Sequence, residues 1–202
     1  MLKIISFEGV DGSGKTTLAQ ELFDKCIEKR IKVAYFRDPG STPIGEAIRK
    51  IVKDASISRD PEVELMLYSA ARLQMIKTDI VPAFLEGNLI ILDRFFDSSA
   101  AYQCYAKGVP IEKLRGINKL FRIEKFTPDL TFFIDKKPSL CNVSDKSKFD
   151  TFDLDRELQE KVYNGYLKLI MRSEFDRFVI LPSGASWNTL GDRVASEVFS
   201  RL

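Results

Sequence analysis

Five short, mostly apolar runs punctuate the chain, at residues 4–7, 33–36, 89–92, 130–134 and 178–181. They are too continuous to be half-solvated strands, and predict strands covered on both faces. Between them lie longer segments with apolar positions at helical spacing, at 15–30, 44–53, 62–86, 111–123 and 155–174, with 189–202 closing the chain. Strand and helix alternate from end to end. That order predicts an α/β fold of three layers, a central and mainly five-stranded parallel sheet flanked by helices. In such sheets ligands bind beyond the carboxyl ends of the strands. The length, 202 residues, predicts a single domain over 1–202.

One stretch breaks the pattern. Residues 136–153 are polar and irregular and carry Lys136, Lys137, Lys146 and Lys148. They read either as a solvated loop or as a short lid, placed within 136–156, that closes on phosphate. No apolar stretch approaches the ~20 residues of a membrane span, and the start of the chain carries no signal-type run. The net charge of +2 and the lack of a basic stripe interleaved with aromatics predict no nucleic-acid partner. Cys26, Cys104 and Cys141 are odd in number and widely spaced, fitting neither a disulfide framework nor zinc, and predict a reducing, cytoplasmic setting. The chain has no histidine, so its chemistry needs no His-activated nucleophile.

The strongest local signal is Gly9-Val10-Asp11-Gly12-Ser13-Gly14-Lys15-Thr16, followed by Thr17. It is a complete phosphate loop placed between an apolar run and a helical segment. Its glycines let successive backbone N–H groups turn inward around a phosphate chain, and the helix start adds positive charge. Lys15 then reaches the β- and γ-phosphates of a bound triphosphate, and the Thr16 hydroxyl is a ligand for Mg²⁺. The run Leu89-Ile90-Ile91-Leu92 delivers Asp93 at its end, where a carboxylate orients Mg²⁺ directly or through water.

A phosphate loop establishes triphosphate binding but not the acceptor, and leaves kinase, GTPase and ATPase open. Arg37 follows the second apolar run and Arg49 lies on the next helix, while Arg94 follows Asp93. Arginines on several strand ends point to an anionic second substrate. Tyr68 and Arg72 are four residues apart and share a helix face, so one can stack on a planar base while the other donates to its carbonyl.

Residues 7–17, 37–42, 68–72 and 93–103, in this order and spacing, resemble the thymidylate kinase family of phosphate-loop nucleoside monophosphate kinases. The resemblance implies ATP and dTMP as substrates, Mg²⁺ as cofactor and a homodimer. It implies that Tyr68 stacks on the base, Arg72 binds the base carbonyl, and Ser98, Ser99 and Gln103 complete the pocket. Arg94, Arg37 and Arg49 correspond to contacts with the acceptor phosphate, Asp11 to a carboxylate near the sugar 3′-hydroxyl, and Tyr102 to the ring that excludes a 2′-hydroxyl. Lys15, Arg94 and Asp11 are the expected catalytic set.

The chain also departs from that family. Where the family carries a lid arginine this sequence has Thr151, which leaves Lys146, Lys148 or Arg156 to neutralise phosphoryl charge. Cys104 stands where glycine is common. Two other readings follow: a kinase for another acceptor, with Glu8 or Asp38 as base if that acceptor is a nucleoside hydroxyl, or a nucleotide-binding module without turnover.

Overall fold

The computed structural model describes residues 2–141, 155–172 and 177–202. All five expected strands form: β1 (Ile4–Glu8), β2 (Val33–Arg37), β3 (Leu89–Asp93), β4 (Leu130–Asp135) and β5 (Phe178–Pro182). They pair in parallel in the order β2-β3-β1-β4-β5. Each runs one residue beyond its apolar stretch, to Glu8, Arg37, Asp93, Asp135 and Pro182. The extra residues are polar or proline because the covering helices end before the backbone ladder does.

Register then sets out the site. Asp93 pairs with both Phe7 and Arg37, and the ladder continues as the Asp38 amide donates to the Asp93 carbonyl at 3.0 Å and the Arg94 amide to the Phe7 carbonyl at 3.1 Å. Glu8, Asp38 and Arg94 therefore leave the sheet side by side.

Helices α1 (Lys15–Glu28), α2 (Pro43–Lys53) and α3 (Pro61–Met75) follow the expected segments. The segment expected as one helix over 62–86 instead widens into a π-helical turn at Ile76–Ile80 before α4 (Val81–Leu85). Pro82 explains the widening, since its ring would clash with a carbonyl one turn back and it has no N–H to give. A helix that the sequence did not announce, α5 (Phe96–Ser99), runs into a second π-helical stretch, Ala100–Ala106. Then come α6 (Ile111–Leu120), α7 (Arg156–Met171) and α8 (Trp187–Phe199). Asp155 caps α7 and Ser186 caps α8 through side-chain acceptors.

The core lies on both sides of the sheet. Leu18 and Leu22 of α1 and Leu190, Val194 and Val198 of α8 cover Ile5, Phe7, Ile91 and Phe132 on one face. On the other, Met75, Ile76 and Ile80 meet Ile90 and Leu92, while Tyr166 and Val162 of α7 meet Phe133. Each fully buried aliphatic or phenyl side chain contributes about 1.5–3 kcal/mol, which fixes the layers and with them the strand ends. Among the described residues no helix is long and apolar enough to cross a membrane. Of the expected lid, Lys146, Lys148 and Thr151 lie outside the described residues.

Candidate active site

The phosphate loop leaves β1 at Glu8 and closes at the first residue of α1. Gly9, Gly12 and Gly14 all have positive φ, 150°, 72° and 100°. At Gly14 the reason is also steric, because a Cβ there would lie 2.1 Å from the Trp187 ring at the start of α8. Lys15 is buried, with Nζ donating to the Val10 carbonyl at 2.7 Å. Burial, reinforced by the nearby Arg94 charge, lowers the Lys15 ammonium to about 8, against the opposing pull of Asp11, Asp93 and Glu8. Thr16 Oγ1 donates to Asp93 Oδ2 at 2.6 Å, and Tyr35 donates to the same oxygen at 3.2 Å. One hydroxyl and one carboxylate make an oxygen donor set that suits Mg²⁺, which keeps most of its ligands as water and phosphate oxygen.

Arg94 is the hub. It has φ of 70°, a left-handed conformation that costs a residue with a side chain about 1–2 kcal/mol and turns its guanidinium back across the loop. There Nη1 donates to the Gly9 carbonyl at 3.1 Å, Ser98 Oγ at 3.0 Å and Tyr166 Oη at 3.3 Å. Nη2 forms an ion pair with Asp11, whose other oxygen accepts from Tyr102 and, at 3.0 Å, from Gln159 Nε2. Burial alone would raise the Asp11 carboxyl, but Arg94 and Lys15 outweigh it and hold the group well below the usual range. Behind Arg94, the fully buried Glu8 accepts from the Phe95 amide at 2.7 Å, Ser98 Oγ at 2.6 Å and Tyr166 Oη at 2.8 Å. Burial first, and then the neighbouring Asp97 charge, raise Glu8 to about 7.

Beside this hub opens a cleft of about 790 Å³ including its mouth. Its wall includes Asp11, Arg49, Tyr68, Arg72, Arg94, Ser98, Ser99, Tyr102 and Gln103, nine of the residues singled out above for the acceptor. Arg72 is 1% exposed, with Nε on Asp38 Oδ2 at 2.6 Å and Nη2 on Ser99 Oγ at 2.8 Å. Three buried atoms of this wall have no hydrogen-bond partner among the described residues: Arg72 Nη1, a donor, and Gln103 Oε1 and Asp38 Oδ1, both acceptors. Such atoms are rare in folded proteins.

A family model described as thymidylate kinase matches residues 7–191. The chain belongs to the thymidylate kinase family. Among curated relatives, a thymidylate kinase of Finegoldia magna is 42% identical over 175 residues, covering 84% of this chain and 85% of its own. One from Lactobacillus acidophilus is 39% identical over 207 residues, covering 98% and 94%. A third, from Thermoanaerobacter sp. (strain X514), is 38% identical over 183 residues, covering 89% and 88%.

Within this thymidylate kinase fold three expectations need restating. Arg37 is absent from the described cleft wall; its Nη2 is held 2.8 Å from Glu46. Ser98 and Ser99 line the cleft with hydroxyls already bonded, one to Glu8 and Arg94 and the other to Arg72. Arg156 sits exposed at the first turn of α7, outside the cleft wall. Sequence reasoning missed Gln159 and Tyr166 of α7, which arrive from about 150 positions along the chain, and Glu64 with Lys107, paired at 2.6 Å on the cleft wall. Only a helical stripe from Gln159 through Tyr166 hinted at the first two, and nothing local hinted at the others.

Proposed function

We propose that this protein transfers the γ-phosphoryl group of ATP to the 5′-phosphate of dTMP, giving ADP and dTDP. The observation that carries the reading is a donor and an acceptor, Arg72 Nη1 and Gln103 Oε1, among the three unpartnered atoms of the cleft wall. A pyrimidine-2,4-dione ring presents an N–H beside a C=O, which matches an acceptor at Gln103 Oε1 and a donor at Arg72 Nη1. Cytosine presents the reverse pattern at the same ring atoms and leaves both protein groups unpaired. Tyr68 on the same wall supplies a face for the ring.

The rest of the site divides accordingly. Gly9 to Thr17 cradle the triphosphate, with Lys15 at its terminal end. Arg94 and Arg49 clamp the acceptor phosphate; Asp11 and Tyr102, joined to each other, face the sugar. Thr16 and Asp93 hold Mg²⁺, which screens triphosphate charge when bound. A nucleotide phosphate is already ionised near neutral pH, so the chain's own work is orientation and charge neutralisation, with no proton to remove. Of the bases that a nucleoside acceptor would need, Glu8 accepts three hydrogen bonds, and Asp38 is tied to Arg72 through Oδ2 while its Oδ1 has no partner among the described residues. Arg156 remains the lid cation proposed among the described residues, with Lys146 and Lys148 proposed beyond them.

A homodimer and a cytoplasmic setting belong to the same proposal. Ile44 and Ile51, two turns apart on α2, and Val63 and Met66 on α3 are exposed apolar side chains that a second copy would cover. The three cysteines are free, as a reducing compartment would keep them. ADP release from Mg·ATP, measured with dTMP, dUMP, dCMP, thymidine and no acceptor, tests the activity. We expect dTMP to be turned over, thymidine to be silent and dCMP to fall at least ~100-fold in kcat/KM, the scale of mismatching buried hydrogen bonds. Equal turnover of dCMP and dTMP would refute the base-reading pair.

A further inference from the structure

A second cavity, about 590 Å³ including its mouth, lies across α5 from the acceptor cleft. The single turn of α5 gives Ser98 and Ser99 to the cleft and Phe96 and Asp97 to this cavity, so it is the wall between them. Three features of the second cavity have no part in the chemistry described above.

Asn118 of α6 is 8% exposed, yet its Oδ1 is buried without a partner among the described residues. Arg115, one turn earlier on α6, and Arg172, just past the end of α7, also line the cavity. Neither has an ion pair among the described residues, whereas the third arginine of the cavity, Arg177, is paired: it holds Asp97 through both terminal nitrogens at 2.7 and 2.8 Å and donates to Thr131 at 2.6 Å. The rest of the wall is largely apolar, with the rings of Phe96 and Phe178 flanking the Arg177 guanidinium at 5.9 and 4.3 Å. An apolar body, one acceptor without a donor and two cations without an anion among the described residues describe a ligand by complement.

We infer that this cavity is an effector site for a small planar anion, a ring with one N–H or O–H donor and one carboxylate or phosphate. The donor meets Asn118 Oδ1, the ring packs against Phe96 and Phe178, and the anion is held by Arg115 and Arg172. Occupancy is felt in the acceptor cleft through α5. Asp97 raises the buried Glu8 carboxyl electrostatically, and Glu8 anchors the Phe95 amide and Ser98 beside Arg94. A second line runs from Arg177 through Thr131 to Ser6 of β1, whose hydroxyls are 2.9 Å apart.

The test uses the full chain with both substrate positions filled by saturating dTMP and a non-hydrolysable ATP analogue with Mg²⁺. 4-Hydroxybenzoate and 4-hydroxyphenyl phosphate are titrated separately by calorimetry, which distinguishes a carboxylate from a phosphate ligand. Saturable binding of at least one probe is expected, weakened at least ~10-fold in Arg115→Ala/Arg172→Ala, the scale of losing charge-assisted contacts. Both arginines are exposed, so this variant folds, and Asn118→Leu gives a second reading of the buried acceptor. Because coupling is reciprocal, the dTMP affinity in a binding titration shifts at least ~2-fold when the probe saturates. Binding is independent of turnover, so this test and that of the proposed activity fail separately. No saturable binding by either probe, binding that vanishes when the substrate positions are filled, or equal affinity in the arginine variant overturns the site; an unshifted dTMP affinity overturns the coupling.

Discussion

Replacing Arg72 by methionine separates what this residue does for the fold from what it does for the substrate. Arg72 and Asp38 form a pair with side chains each 1% exposed and 2.6 Å apart. Burial, opposed by Arg72, already holds the Asp38 carboxyl above its usual range. Methionine fills much of the same volume but leaves that carboxylate without a counter-charge. Breaking a buried pair from one side costs about 3–5 kcal/mol, limited by the point at which Asp38 takes up a proton. At about 2–4 °C per kcal/mol for a chain of this size, Tm falls by roughly 6–20 °C.

The companion Asp38→Asn/Arg72→Met removes both charges and should recover most of that loss, because no ion is stranded. It should not recover catalysis. Both variants lack the Nη1 donor, and losing a charge-assisted hydrogen bond of about 1.5–3 kcal/mol lowers kcat/KM for dTMP by roughly 10–150-fold. Thermal unfolding and dTMP-dependent ADP release, run on the same preparations, read the two effects apart. An Arg72→Met protein melting within about 2 °C of the parent would refute the buried-pair argument. Parental dTMP kinetics in the double variant would refute the role of Arg72 in reading the base.

Other expectations concern protons and the loop. Lys15 sits near 8, below its ordinary 10.5, and a bound triphosphate favours its charged form, so ATP binding at pH 8 to 9 should take up a fraction of a proton. Calorimetry in buffers of different ionisation enthalpy measures it, and a heat independent of buffer would count against the assignment. Glu8 rises from 4.5 to about 7 on folding, so the native state binds the extra proton between those values. Its contribution to stability is full below pH 4.5 and is lost as pH rises to 7, by about 3 kcal/mol. Glu8→Gln should flatten that part of the stability profile, and an unchanged slope in urea titrations would contradict it. Gly14→Ala should weaken ATP binding through both its positive φ and its clash with Trp187; adding Trp187→Ala should restore only part of the loss, and full restoration would show that φ is unimportant.

Strands and the phosphate loop were legible in the sequence because their causes are local. A doubly covered parallel strand needs a short, continuous apolar run, and all five runs became strands. The apolar runs stop one residue short of the strands, at Glu8, Arg37, Asp93, Asp135 and Pro182, since apolarity reports coverage by helices while the backbone ladder continues past it. α5 was missed for the opposite reason: Phe96 to Ala106 mixes core, cleft and second-cavity contacts on successive positions, so no single apolar stripe develops. The interruption before Pro82 was in principle visible from the proline itself. Nine acceptor-side residues came together because strand register aligns Glu8, Arg37 and Asp93 at one end of the sheet. Arg37 was drawn away by Glu46, nine positions on, a competition that spacing alone does not rank. Gln159 and Tyr166 were out of reach, since their partners are fixed only when α7 packs across β4 and α5.

Trp187 is the only tryptophan in the chain, and it packs against the phosphate loop at Gly14. The acceptor cleft, by contrast, has tyrosines on its described wall and no tryptophan. Red-edge excitation therefore lights one half of the site and leaves the other dark. The protein carries its own optical label for the donor nucleotide, so the order in which the two substrates arrive can be timed in a stopped-flow cell without any dye or engineered probe.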